Sequence, residues 1–115
     1  MLNVKPTIYS ALTSDTVLVG LTPGGIFADK NPDGGTYPAI TYSEISNVPA
    51  LNADNAEDMS KVTVQVSVMT DSGSTSAIAE RVNVLMLGLG FMRQFSGDLM
   101  DEGIKIKALR YTIVG

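Results

Sequence analysis

Between Ser60 and Phe91 the hydrophobic period of the chain changes. Val62, Val64, Val66 and Val68 alternate with Lys61, Thr63, Gln65, Ser67 and Met69, and that period of two predicts a strand with one continuous valine face. Asp71-Ser72-Gly73-Ser74 breaks the pattern with turn formers. Beyond it, Ile78, Val82, Leu85, Met86 and Leu89 lie on one stripe of an α-helix. Ser72, Ser74, Thr75 and Ser76 are candidate N-caps, and Gly88 and Gly90 offer the C-terminal stop. A valine face followed at once by a leucine stripe predicts a helix folded back over its own strand. Each large side chain fully buried there contributes roughly 1.5–3 kcal/mol, so this pair should hold most of the core.

The remaining elements are read the same way. Val4, Ile8, Ala11 and Leu12 have helical spacing, which predicts a first helix ending near Ser14, with Asn3 as its cap and Pro6 in its first turn. Ser10, Thr13, Ser14 and Asp15 fall on its water side. Val17, Leu18, Val19 and Leu21 suit either a short helical turn or an extended apolar connection. Thr22-Pro23-Gly24-Gly25 is a turn, Ile26-Phe27-Ala28 a short strand, and Asp29 to Thr36 a loop. Pro38 to Ser46 reads as a strand with Ile40 and Tyr42 on one face, the proline at its start. Val48 to Met59 has no period and reads as a long acidic loop. Phe91 to Ser96 reads as a strand with Phe91, Arg93 and Phe95 on one face, and Gly97 to Gly103 as a second acidic loop. In the last strand, Ile104 to about Val114, the pattern slips: Ile104, Ile106 and Ala108 share a face with Arg110, while Leu109, Tyr111 and Ile113 take the other. Either a bulge shifts the register, or the end of the strand is covered on both faces, one of them by another subunit. The expected fold is α+β in one domain: a mainly antiparallel sheet of four to five strands with two helices packed on one face.

Composition narrows the function. A length of 115 residues suits one domain. There is no cysteine, which removes disulfides, thiolate metal ligands and a cysteine nucleophile. There is no histidine either, so the commonest general base and metal ligand are missing. The net charge is −4, and no basic stretch reads as a nucleic-acid footprint. The longest strongly apolar run, Val82 to Met92, falls far short of the ~20 residues that span a bilayer, and it contains Asn83. No signal peptide is recognisable at the start. These features predict a soluble protein without a membrane partner.

Motifs for chemistry are mostly missing. The glycine pairs at 24–25 and 34–35 precede strands, whereas a phosphate loop opens a helix. The calcium-loop series is absent, and Asp71-Ser72-Gly73-Ser74 lacks the pattern of a serine nucleophile. Asp54, Glu57 and Asp58 in one loop, with Asp98, Asp101 and Glu102 in the other, are the candidate carboxylates; solvated loop charge is the plainer account of them. No catalytic residue, metal site or cofactor is expected.

The order of elements does resemble a known family. A short helix is followed by Gly24-Gly25-Ile26-Phe27, then Pro38-Ala39-Ile40-Thr41-Tyr42-Ser43-Glu44 and a long loop. Val62-Thr63-Val64-Gln65-Val66-Ser67-Val68 then runs through serines into an amphipathic helix. Phe91-Met92-Arg93, acidic residues and Lys107-Ala108-Leu109-Arg110-Tyr111-Thr112-Ile113 close the chain. The sequence looks like the tail completion or tail terminator proteins, also called tail-to-head joining proteins, of long-tailed bacteriophages and prophages. That resemblance implies a structural role in the virion, with assembly in the host cytoplasm. Copies would form a ring, commonly a hexamer, on the tail-tube protein, end tube growth and meet the head connector, and DNA would pass through the lumen without specific binding. It also suggests roles for residues: Asp54, Glu57 and Asp58, or Asp98, Asp101 and Glu102, as lumen or docking loops, and Leu109, Tyr111 and Ile113 as subunit contacts. The competing readings are another neck protein (head completion or connector), a small dimeric ligand-binding α+β domain, and an enzyme using carboxylates alone.

Overall fold

The computed structural model describes residues 3–30, 36–49 and 59–115. Along the chain lie α1 (Lys5–Ser14), α2 (Thr16–Leu21), β1 (Ile26–Ala28), β2 (Ala39–Pro49), β3 (Ser60–Thr70), α3 (Ser76–Gly88), β4 (Met92–Asp101) and β5 (Ile104–Val114). The strands form one five-stranded sheet in the order β1-β2-β3-β5-β4. β1 runs parallel to β2, and the other pairs are antiparallel.

The valine face and the leucine stripe do meet. Val62, Val64, Val66 and Val68 form one buried cluster with Ile78, Val82 and Met86, and Ile8, Leu12 and Leu18 bring α1 and α2 into it. Sheet register carries the same face across the strands: Ile40 lies opposite Val68, Tyr42 opposite Val66, and Leu109 and Tyr111 opposite Val66 and Val64. α3 ends in a Schellman motif. Gly90 N–H donates to Leu87 O at 3.0 Å and Phe91 N–H to Met86 O at 3.1 Å, with Gly90 at φ +98°. Phe91 and Met86, both buried, supply the apolar contact that accompanies this stop.

Several expectations need correction. Three helices form among the described residues, not two, because Asp15 caps Thr16–Leu21: its Oδ2 accepts from Leu18 N–H at 2.9 Å. Asp15 therefore does not simply face water. The N-cap of α1 is Val4 and that of α3 is Thr75, each without a side-chain cap bond; Asn3 does not cap. β2 continues to Pro49, past Ser46. The acidic stretch from Gly97 is not a loop but the second half of β4. Glu102 and Gly103, at φ 50° and 84°, form the two-residue turn to β5, and two positive φ values there match the right-handed twist of a hairpin.

The last strand carries no bulge against β3, so the first alternative for its slip does not hold. β5 keeps an unbroken register with β3 from Lys105 to Val114. The irregularity sits in β4, between Arg93 and Phe95. One extra residue there reverses the faces of the rest of the strand. Phe91 thus enters the core while Phe95 turns to the opposite face, half exposed, so the two do not share a side.

Candidate docking surfaces

The positions singled out by sequence separate in space. Leu109 and Tyr111 are 1% and 0% exposed and belong to the core of their own chain, with Ile113 packed against it. Leu109 and Tyr111 keep almost no exposed side-chain surface for the subunit contact expected of them, whereas Ile113 is only partly buried. Tyr111 donates its hydroxyl to Asn83 Oδ1 at 3.0 Å, which explains the lone amide in the apolar run, and burial pushes the phenol up to about 12. Asp54, Glu57 and Asp58 lie outside the described residues. Asp98 and Asp101 are in β4 and Glu102 in the turn. Asp98 pairs across the hairpin with Lys107 at 3.3 Å; Asp101 lies an odd number of residues further on, on the opposite face of β4. The three described carboxylates therefore do not converge, and no group able to hold a metal ion occurs among the described residues.

The most strongly perturbed acid is structural. Arg81 forks onto Asp15, Nε to Oδ2 at 2.8 Å and Nη2 to Oδ1 at 2.6 Å. This pair joins α3 to the α1–α2 junction, and the guanidinium holds the Asp15 carboxyl down at about 2. An open cleft of about 510 Å³ lies between the start of α3 and the hairpin. Its lysines are engaged: Lys105 Nζ donates to Gly73 O at 3.0 Å, and Lys107 holds Asp98. None of these groups forms an arrangement that would activate a nucleophile or shuttle a proton.

What the surface does offer is apolar area on two sides. On the helix-free face of the sheet, Met92, Phe95 and Leu99 are 67%, 50% and 61% exposed. Phe95 is also held in place. Arg110, its cross-strand partner, stands over the ring at 5.6 Å from the centroid. Arg110 Nε donates to Gln65 Oε1 at 3.0 Å, and Gln65 Nε2 donates to Ser67 Oγ at 3.1 Å. The ring lies across Gly97, where a Cβ would stand 2.6 Å from Phe95 Cζ. Sequence reasoning missed this row, because the bulge that turns Phe95 outward is invisible to periodicity; Phe-x-Gly facing an arginine was the only signal. On the far side of the helical layer, Val17 and Leu21 of α2 and Ala77 and Val84 of α3 line an open groove of about 310 Å³ with Glu80 and Arg81.

The family model of tail completion protein gp17 matches residues 6–93. The chain belongs to this tail completion family. It is a structural protein of bacteriophage tails, from a family not known for enzymes. In fold it is similar to a chain of the virion of the native gene transfer agent (GTA) particle, with a TM-score of 0.68 at 18% identity over 94% of this chain and 92% of that one. It is also similar to the gp17 protein of bacteriophage SPP1, with a TM-score of 0.53 at 16% identity over 96% and 88%. At such identities the likeness shows the fold. No curated protein matches the chain in sequence. No described helix of this tail completion protein is long and apolar enough to cross a membrane.

Proposed function

We propose that this protein caps the phage tail tube as a ring of identical copies, a hexamer in the form the family resemblance implies. The ring ends tube growth and presents its outer side to the head connector. The observation that carries this reading is the tail completion match across residues 6–93. Large side chains left exposed on two sides of the fold support it, since a contiguous apolar surface on a small protein marks a contact site. The ring would sit in the virion after assembly in the host cytoplasm, and DNA would cross its lumen without specific binding. A net charge of −4 supports free passage, because duplex binding depends on cations that displace counterions from phosphate. Asp101 and Glu102 at the hairpin tip, with Asp98 close by, and the acidic segment of Asp54, Glu57 and Asp58 are the proposed lumen-facing groups.

The test is tail assembly in a phage that lacks the gene. Tubes should grow beyond normal length and fail to join heads, and adding the purified protein to growing tubes should stop elongation and leave a ring visible at one end by electron microscopy. Tails of normal length that join heads without this protein would end the proposal.

A further inference from the structure

The row of Met92, Phe95 and Leu99 and the groove between α2 and α3 are two exposed apolar patches. Solvent-exposed side chains are usually free to rotate, and freezing them on binding opposes association. Phe95 is half exposed yet already fixed, by Gly97 beneath its ring and Arg110 above it. Arg110 is fixed in turn by Gln65. Methionine, phenylalanine and arginine are the residue types enriched where proteins meet, and Met92, Phe95 and Arg110 stand together here. The groove between α2 and α3 lies on the opposite side of the molecule and is lined by smaller apolar side chains, Val17, Ala77 and Val84.

Charge supports matching the two. Arg81, beside the groove, is neutralised by Asp15, which leaves Glu80 there without an ion pair among the described residues. Arg110 likewise has no carboxylate partner among them. Arg110 thus sets a positive charge beside Phe95, with Asp101 farther along the same face, and Glu80 sets a negative charge at the groove. A two-fold contact would need a single self-complementary patch, whereas two unlike patches on opposite sides suit a head-to-tail contact that closes into a ring. We propose that the Phe95 row of one copy seats in the α2–α3 groove of the next copy. This rests on the ring reading and identifies the surfaces through which the ring closes; most of the Phe95 row lies past the residues that the family model matches.

The chain has no cysteine, so introduced pairs report contacts without background. Leu99→Cys and Val84→Cys each replace an exposed side chain. Mixed on tail tubes and oxidised, the two single variants should form a disulfide-linked dimer, while neither cross-links alone. The double variant should give a ladder ending at the ring. Phe95→Ala should weaken ring formation by about tenfold or more, as loss of a central aromatic anchor does, with unchanged thermal stability. Glu80→Arg should also weaken it, and Arg110→Glu in the same chain should restore it. Rings that form without the mixed cross-link, or Leu99→Cys linking to itself, would overturn this contact while leaving the ring reading intact. If no ring forms on tubes under any condition, both readings fall.

Discussion

At the scale of single residues, two polar contacts tie the helical layer together and to the sheet, and each has a measurable consequence. Tyr111 is fully buried, and its hydroxyl is held by Asn83 Oδ1. Tyr111→Phe leaves that acceptor without its donor in a half-buried place, and should destabilise the fold by about 1 kcal/mol in urea unfolding. Asn83→Leu leaves the hydroxyl unmade instead and should destabilise the fold as well. Asp15 has a double duty, capping α2 and receiving the fork of Arg81. Its carboxyl is depressed to about 2 in the folded chain, against about 3.9 for a free side chain. A lowered folded-state value means that the contribution is complete above pH ~4 and is lost as pH falls towards ~2. Asp15→Asn keeps the cap, since asparagine caps as well as aspartate, and removes the charge. Its melting temperature should lie below that of the native chain at neutral pH, and the two curves should converge between pH ~4 and pH ~2. Curves that remain parallel through acid would show that the ion pair contributes nothing.

At the scale of elements, what could be read in advance depended on whether local pattern and tertiary position agreed. β3 and α3 were legible because each has one apolar face and each buries that face. The α2 segment was not separable from an extended run, because Val17, Leu18, Val19 and Leu21 carry no clear period; the deciding signal was Asp15 as a cap. The second half of β4 resembles a loop in sequence, since glycine and aspartate usually punctuate loops. Here Gly97 gives room to a neighbouring aromatic ring, and Asp98 pairs across the strand. The candidate contact surface was hidden for the same reason: a bulge of one residue decides which face Phe95 takes, and bulges leave little trace in hydrophobic order. The same hairpin supplies a test. Gly103 sits at φ +84° in the turn, where a side chain meets backbone strain of about 1–2 kcal/mol. Gly103→Val should destabilise by that amount. Its amide-exchange effect should concentrate in β4 and β5 near the turn, with β2 and the far half of β3 little affected.

At the scale of the whole molecule, the fold separates what holds it together from what it shows to partners. The central strands β3 and β5 and the three helices share one buried cluster, whereas β4 is a ten-residue edge strand whose side chains are almost all exposed. The molecule is correspondingly long, 50 × 28 × 23 Å. An edge strand with apolar side chains on both faces invites association, and single-chain proteins usually blunt such edges. Here Leu99 and Met100 are 61% and 68% exposed on neighbouring, opposite-facing positions, an arrangement that a protein functioning alone has no need of. Mutations should therefore divide by layer. Val64→Asp places a charge without a partner in the buried cluster, opposite Tyr111, and should abolish folding, seen as loss of the cooperative melting transition. Leu99→Ser should leave urea stability within about 0.5 kcal/mol, as exposed substitutions usually do, yet lower the yield of capped tubes. The measurement is a paired one on the same preparation: a denaturation curve for the free chain and a count of capped tube ends by electron microscopy. If Leu99→Ser caps tubes as well as the native chain does, the edge strand has no part in assembly. If it unfolds the chain, the hairpin belongs to the core and the two layers are not separable.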